Sequence, residues 1–294
     1  MIEFKKPDIT DLDWVKKAMA ESEELSCEYC FGNLYIWSQV YNTTITEYDG
    51  MFLAKSESPK GVSFLYPCGK GDKKAAIEEL IEISRLEGKK LSMYSLSEKS
   101  VKELNELFPD RFEIIPTRSF FDYIYTSEDL CELKGRKYHA KRNHISYFKN
   151  NFNWNYERIT SDNIKDCIEM NKKWEALNDD NVGLDNELDA INRAFDKYFE
   201  LGFIGGLIRR DGEVVAYTFG EPITNEVFCT HVEKAFSDVR GAYPIINQQF
   251  CENELMSYKY VNREDDTGDD GLRQAKLSYN PTILLEKFDA VLKE

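Results

Sequence analysis

The amino-acid sequence predicts a mixed α/β protein (α+β, with mixed sheets) built from two domains in tandem. Its 294 residues are enough for two domains of ordinary size, each with its own core. Stretches with helix and strand periodicity alternate along the chain, and their order in the first half returns in the second. Each half also has an Asp-Gly turn between two apolar stretches, Asp49-Gly50 and Asp211-Gly212, which is typical of a β-hairpin. We place the domains at 1–140 and 141–294 and expect each half to form its own sheet.

The first half begins with helices and continues with a three-stranded meander. Thr10 is expected to cap a helix over 11–20, and aromatic and aliphatic residues spaced three or four apart predict a second helix over 29–41. The meander is predicted at 43–48, 51–55 and 61–67. It is followed by a helix over 73–87, a strand over 91–95, a helix over 98–107 and strands near 112–115 and 120–125.

The second half repeats this order without obvious residue identity. A strand is predicted over 154–159, helices over 161–177 and 186–201, and a meander at 203–209, 213–219 and 226–233. A helix over 243–256, a strand over 258–262, a helix over 272–278 and a final strand over 283–288 complete the half. The similarity therefore lies in the order of elements and is not a sequence repeat.

Composition excludes several classes of protein. Hydrophobic residues make up 42% and charged residues 31%, which excludes long disorder. No apolar run is long enough for a membrane helix and no signal peptide is apparent, so we expect no integral membrane segment and a cytoplasmic location. The seven cysteines are scattered and odd in number, which suits a reducing compartment. Cys27 and Cys30 form a C-x-x-C without a second pair at zinc-site spacing, and we predict no metal site.

Charge is unevenly distributed. The net charge of −15 argues against a general nucleic-acid coat, yet the segment Lys134 to Lys149 holds six Lys or Arg residues and no acid. On a helix, Lys137, Lys141 and Arg142 project towards overlapping sides. They form either a solvated helix face or an anion patch for RNA, a phosphorylated small molecule or, in peripheral membrane contact, a phospholipid head group.

Two segments carry a family resemblance, KGRKYHAKRNH at 134–144 and YVNREDDTGDDGLRQAKLSYNP at 260–281. They resemble a largely uncharacterised bacterial family that is grouped with the C-terminal domain of phosphatidylglycerol lysyltransferases. The resemblance covers most of the chain, from Phe31 to Pro281. It implies two tandem GNAT-like acyltransferase lobes, a fold shared with the Fem aminoacyltransferases. It also implies transfer of an aminoacyl group from a charged tRNA to an amine or hydroxyl acceptor.

The reaction cleft of a GNAT lobe lies at the third strand of the meander and the helix after it. In the second half this strand places Cys229, His231 and Glu233 on one face, because strand side chains alternate. The imidazole of His231 or the carboxylate of Glu233 is a candidate base that takes a proton from the attacking amine or hydroxyl. The alternative for His231 is a purely structural role.

The loop after this strand is the candidate donor site, with Asp238, Arg240, Gly241 and, on the next helix, Asn247. Gly241 allows a tight turn, and free N–H groups at a helix start hold phosphate well. Acetyl-CoA enzymes usually need a second glycine in this loop, and bulkier residues stand here. We therefore expect negligible acetyl-CoA affinity and favour aminoacyl-tRNA as donor, with acyl-CoA as the alternative.

The acidic loop over 264–270 does not have the spacing or the terminal Glu of a calcium-binding EF-hand loop. We expect Glu264 and Asp265 either to hold Arg273 and Lys276 or to bind the cation of an amino-acid substrate. Arg273 and Lys276 lie three residues apart and share a helix face, so they face either an anionic donor or an internal salt-bridge network.

Three functional hypotheses follow. The first is an aminoacyl- or acyltransferase with its site in the C-terminal lobe. For this enzyme the sequence indicates no cofactor apart from the donor, aminoacyl-tRNA or acyl-CoA. The second is an acetyl-CoA-dependent N-acetyltransferase, which the loop at 240–244 disfavours. The third is a non-catalytic protein that keeps the GNAT fold and binds RNA or a small ligand.

Overall fold

The structure is a computed structural model, and it describes residues 2–58, 61–177 and 184–293. The helices are α1 (Leu12–Ala20), α2 (Phe31–Trp37), α3 (Lys73–Leu86), α4 (Glu98–Leu107), α5 (Ser127–Glu132), α6 (His139–Asn151), α7 (Ile164–Ala176), α8 (Leu184–Asp196), α9 (Ala242–Phe250) and α10 (Asp270–Leu277). Short 3-10 helices lie at Ile9–Asp11, Cys27–Tyr29, Arg118–Phe120 and Arg136–Tyr138, and a π-helical turn at Cys251–Leu255. The ends that the sequence predicted agree closely for α3 and α4, where Asp72 and Ser97 cap the first turns.

The strands of the described residues are β1 (Thr44–Tyr48), β2 (Met51–Ser58), β3 (Gly61–Leu65), β4 (Cys68–Gly69), β5 (Ser92–Leu96), β6 (Phe112–Pro116), β7 (Asp122–Thr126), β8 (Trp154–Arg158), β9 (Ile204–Arg210), β10 (Glu213–Pro222), β11 (Val227–Ala235), β12 (Tyr260–Asn262), β13 (Ile283–Leu285) and β14 (Phe288–Leu292). Both expected Asp-Gly hairpins form, with β1 antiparallel to β2 and β9 antiparallel to β10.

The first compact unit comprises residues 1–122, 264–270 and 284–294. Its sheet has the order β1-β2-β3-β5-β14-β6, with β4 beside β2, and β3 and β5 are parallel. The helices α3 and α4 pack on this sheet through a core of large apolar residues that includes Leu53, Phe64, Ile77, Met93 and Leu104. Alternating apolar residues in the strands and apolar residues three or four apart in the helices supply the two sides of this core.

The second unit comprises residues 123–263 and 271–283. Its sheet has the order β13-β7-β12-β11-β10-β9-β8, and β11 and β12 are parallel. Phe148 of α6 and Ile245 and Phe250 of α9 contribute to one core cluster with Phe228 of β11. This packing sets α6 and α9 beside the strand that carries the candidate catalytic residues.

Each sheet contains one strand from the other half of the sequence. The strand β7, from the first half, pairs antiparallel with β12 of the second sheet, and β14, from the C-terminus, pairs antiparallel with β5 and β6 of the first. The expectation that each half forms its own sheet is wrong for these two strands. The single strand expected over 283–288 is instead two strands in different sheets. Local periodicity identifies a strand, but its partner is chosen by long-range hydrogen bonding. The boundary expected at 140/141 falls inside α6, in the second unit.

A buried ion cluster lies in the first unit where β7 and β14 begin. The Lys287 ammonium is 2.8 Å from Asp122 Oδ1 and 2.7 Å from Glu28 Oε2, and the Lys287 and Asp122 side chains are 2% and 0% exposed. Burial alone would lower the pKa of Lys287, but the two carboxylates raise it well above its ordinary value. Burial, Asp122 and Glu28 raise the pKa of the Cys27 thiol, which stays protonated 3.5 Å from the ammonium. Atoms of Cys27, Glu28 and Asp122 lie at metal-ligand spacing, within 4.8 Å of one another, and the lysine already supplies their counter-charge.

Candidate functional site

The candidate site of the second unit is built around Glu233 of β11 and Arg263, which follows β12. Because β11 and β12 are parallel neighbours, residues at their carboxyl ends come together. Arg263 Nη2 donates to Glu233 Oε1 at 2.8 Å, and Asn247 Nδ2, from α9, donates to Glu233 Oε2 at 3.1 Å. The Arg263 and Glu233 side chains are only 11% and 12% exposed, so this is a largely dehydrated ion pair.

Two polar atoms beside this ion pair lack hydrogen-bond partners among the described residues. They are Arg263 Nη1, a donor, and Asn247 Oδ1, an acceptor, and both are buried. The orientation of the Asn247 amide is fixed by Glu233, whose carboxylate oxygen accepts from its nitrogen. Buried polar atoms are usually paired, so one donor and one acceptor beside this carboxylate are each left open for a further hydrogen bond.

Aromatic rings form one side of the site. The Arg263 guanidinium carbon is 4.7 Å from the ring centre of Tyr279 and 5.7 Å from that of Tyr125. The buried Tyr138 hydroxyl donates to the backbone carbonyl oxygen of Tyr279 at 2.9 Å and so fixes the backbone of Tyr279. Lys276 Nζ donates to the carbonyl oxygen of Arg263 at 2.6 Å. Lys276 therefore fixes the backbone from which the guanidinium extends.

Lys141 of α6 completes this cluster. Its ammonium lies 4.0 Å above the ring centre of Tyr279. Burial and the nearby Arg263 guanidinium lower the pKa of Lys141 to about 8, and the Glu233 carboxylate opposes that shift. Lys141 is thus easier to deprotonate than an exposed lysine.

His231 has contacts that differ from those of Glu233, although both lie on β11. Its Nε2 is 3.3 Å from Glu221 Oε1 of β10, and the two side chains are 1% and 0% exposed. The ring of Phe203 meets the imidazole edge-on at 5.7 Å. Next to Glu221, a Cβ on Gly220 would lie 1.8 Å from the carbonyl oxygen of Cys229, so the backbone is tightly fixed. His231 is thereby placed in a buried carboxylate–imidazole pair.

The expected donor loop turns into α9 at Gly241. This residue has φ +92°, and an added Cβ would lie 2.4 Å from the carbonyl oxygen of His144 in α6. Asp238 and Arg240 are exposed on the loop before it, and the Arg240 guanidinium lies 4.2 Å from the ring centre of Tyr147. Asn247, which we grouped with this loop, instead contacts Glu233 one turn further into the helix.

The acidic loop belongs to the first unit, whereas Arg273 and Lys276 lie half-buried on α10 in the second. Within the loop, Asp266 is fully buried, pairs with Arg118 at 3.1 Å and accepts from the Gly268 N–H at 2.9 Å. Asp265 accepts from the Thr267 N–H at 2.8 Å, and Glu264 adopts φ +57°. Hydrogen bonds within the loop thus organise its carboxylates.

The basic segment makes mostly internal contacts. Lys137 lies 3.5 Å from Asp129, and Arg142 Nη1 donates to the carbonyl oxygens of Leu133 and Gly135, the latter at 2.7 Å. Lys141 points instead to Tyr279. Of the three residues of the expected anion patch, Lys141 is therefore the one that joins the Glu233 cluster.

Sequence reasoning missed Arg263, Tyr279 and Tyr125. The first two lie inside the distinctive segment 260–281, on either side of the candidate residues Glu264 to Lys276. A signal was available for Arg263, since it directly follows the strand predicted over 258–262, and that strand pairs with the one that carries Glu233. Tyr125 gave no such signal, because its strand β7 comes from the first half of the sequence.

The fold class of this chain is shared with proteins of known structure. The chain has a tandem GNAT-like fold with two mixed sheets, as in the crystal structure of FemX, which superposes with a TM-score of 0.57 at 10% identity and covers 99% of this chain and 98% of that one. The structure of L-PGS from Bacillus licheniformis superposes with a TM-score of 0.67 at 13% identity, over 99% and 93% of the two chains. At these identities the likeness establishes the fold alone.

The family follows from a match over most of the chain. The family described as "Phosphatidylglycerol lysyltransferase, C-terminal" matches residues 19–291, and the chain belongs to it. The resemblance and the fold class expected from the sequence are thereby confirmed. A conserved protein of unknown function from Bacteroides thetaiotaomicron is 37% identical over the full length of both chains, with a TM-score of 0.94.

A curated relative matches only in part. An uncharacterised protein of Mycoplasmoides gallisepticum is 22% identical over 177 residues, and the match covers 57% of this chain and 54% of that protein. The chain thus matches about half the length of that relative. None of the helices in the described residues combines the length and apolarity that crossing a bilayer requires.

Proposed function

We propose that this chain is an aminoacyltransferase that moves an aminoacyl group from a charged tRNA to an amine or hydroxyl acceptor. The observation that carries the proposal is the open donor and open acceptor beside Glu233. An α-aminoacyl ester has complementary groups, a carbonyl oxygen that accepts and an ammonium that donates. Arg263 Nη1 suits the first, and Asn247 Oδ1 with the Glu233 carboxylate suits the second.

The same groups suit the transition state. Attack on the ester carbonyl places negative charge on its oxygen, and a guanidinium that already faces that oxygen stabilises the charge without reorganising. Glu233 holds the guanidinium in place, and the ring of Tyr279 limits access of water to it. A tRNA donor would place the reaction in the cytoplasm.

The relatives support this choice of donor. The family description names a lysyltransferase, and L-PGS and FemX share the fold over nearly the whole chain. The single glycine at the start of α9 favours a donor other than acyl-CoA. For the acceptor we propose the reacting group, an amine or a hydroxyl, whether a lipid or another molecule carries it.

The test uses a stable mimic of the donor, 3′-deoxy-3′-(aminoacyl)amino-adenosine with lysyl, alanyl and seryl side chains. Isothermal titration calorimetry should detect binding of at least one mimic and no binding of acetyl-CoA. Arg263→Lys keeps the ion pair with Glu233 but removes the second guanidinium nitrogen, and should weaken binding about tenfold or more.

The matched control is Arg158→Lys, whose side chain is 59% exposed and pairs with Glu254. It should bind like the wild type. Binding of acetyl-CoA with no binding of any aminoacyl mimic would overturn the proposal in favour of an N-acetyltransferase. Binding of a mimic without transfer from charged tRNA to any acceptor would favour the non-catalytic binding protein.

A further inference from the structure

Lys141 differs from the other lysines of its region in what surrounds the ammonium. Lys137 pairs with Asp129, Lys134 with Glu132 and Lys276 with a carbonyl oxygen. For Lys141 the contact is with an aromatic ring, Tyr279, and no carboxylate or carbonyl bonds its Nζ within the part of the chain described here. The half-buried amine is therefore not committed to a structural ion pair.

The charged groups around Lys141 come from several elements. Arg263, after β12, and Glu233, on β11, are the groups that act on it most strongly after burial. On α6 itself, Arg142 is bound to backbone carbonyls at the end of α5. The helix α9 carries no Lys, Arg, Asp or Glu, and its only titratable side chain is Tyr243. The carboxylate that favours the protonated form of Lys141 is thus Glu233, which already binds Arg263 and Asn247.

We propose that Lys141 is the proton-transfer residue of the site, accepting a proton from the attacking amine or hydroxyl and returning it to the leaving oxygen of the donor. This inference rests on the proposed function. As the acceptor nitrogen or oxygen forms its bond to the carbonyl carbon, its proton moves to Lys141 Nζ. When the ester C–O bond of the intermediate breaks, that proton moves to the ribose oxygen, so Lys141 ends as it began. No oxidant, metal or further reactant takes part.

The other candidate bases are less suited to this role. Both oxygens of Glu233 already accept hydrogen bonds from Arg263 and Asn247. His231 is buried against Glu221 and packs on Phe203 in an edge-to-face arrangement. The pKa of Lys141, lowered to about 8 by burial and Arg263, lies near working pH, where a general base is most effective.

The first measurement needs no substrate. Wild-type protein is labelled with acetic anhydride over a pH series, and the labelled peptides are quantified by mass spectrometry. Lys141 should become reactive at a pH more than one unit below that of the exposed Lys172, which serves as the internal reference. Labelling of Lys141 with the same pH dependence as Lys172 would overturn the proposal.

The second measurement is transfer from charged tRNA to ethanolamine, which offers both an amine and a hydroxyl. Lys141→Met should lower kcat about 100-fold or more and remove the rise in rate near pH 8, while the donor mimic binds as to the wild type. Lys141→Arg keeps the charge but cannot lose its proton, and should be equally slow. The control Lys172→Met removes an exposed lysine outside the candidate site and should keep the wild-type rate and pH profile.

The outcomes separate the two proposals. Wild-type protein that neither binds the mimics nor transfers would end the proposed function, and this inference with it. Wild-type protein that transfers, with Lys141→Met or Lys141→Arg retaining the rate and pH profile, would overturn the role of Lys141 alone. Lys141 variants with a raised KM but an unchanged kcat would also overturn this role, since that pattern belongs to a residue that binds substrate.

Discussion

The Lys287→Met variant tests whether the buried ion cluster stabilises the fold. Methionine has nearly the length of lysine but no charge, so Asp122 and Glu28 lose their ammonium at 2.8 and 2.7 Å. Removing one partner of a buried pair costs about 3–5 kcal/mol, because the remaining charge stays buried without compensation. Asp122 is fully buried but keeps a hydrogen bond from the Cys27 N–H at 2.9 Å, so we expect the loss near the lower end of this range.

Urea denaturation followed by tryptophan fluorescence at neutral pH measures this loss of unfolding free energy. The control Lys172→Met breaks a surface pair with Glu169, in which both side chains are 64% exposed, and should change stability by about 0.5 kcal/mol or less. Adding Asp122→Asn should cost less in the Lys287→Met background than in the wild type, since the two groups interact. A Lys287→Met protein within about 1 kcal/mol of wild type would refute the reasoning.

Three further outcomes are expected. Gly241→Ala should lose about 1–3 kcal/mol in a urea titration, because φ is +92° and the new Cβ would lie 2.4 Å from the His144 carbonyl oxygen. Tyr138→Phe should lose about 1 kcal/mol by the same titration, since the Tyr279 carbonyl loses its 2.9 Å donor. Burial opposes ionisation of Glu28, but Lys287 and neighbouring hydroxyls lower its pKa below the ordinary 4.5. The ionised Glu28 therefore contributes to folding stability above pH 4.5, and this contribution is lost as the pH falls towards the lowered pKa. Melting temperatures should therefore fall as the pH drops below 4.5, and less steeply in Glu28→Gln.

The family and most elements could be predicted because their signals are local. Asp-Gly turns, helix caps and apolar periodicity depend on neighbours a few residues away, and the segment 260–281 identified the family. The pairing partner of each strand depends on residues far away in the sequence, and the predicted pairing was wrong for two strands. The final stretch is divided between two sheets, and β7 crosses to the sheet of the second half.

The residues of the candidate site show the same contrast between local and long-range signals. The sequence placed Glu233 on the right strand of the meander and drew attention to Lys141, Asn247 and Lys276. It did not connect them, because Arg263 reaches Glu233, and Tyr279 reaches Arg263, only in the folded chain, where β12 pairs with β11. The chemical character of Lys141 was likewise decided by tertiary structure. A lysine in a basic segment is an ordinary surface cation until burial and a neighbouring guanidinium lower its pKa.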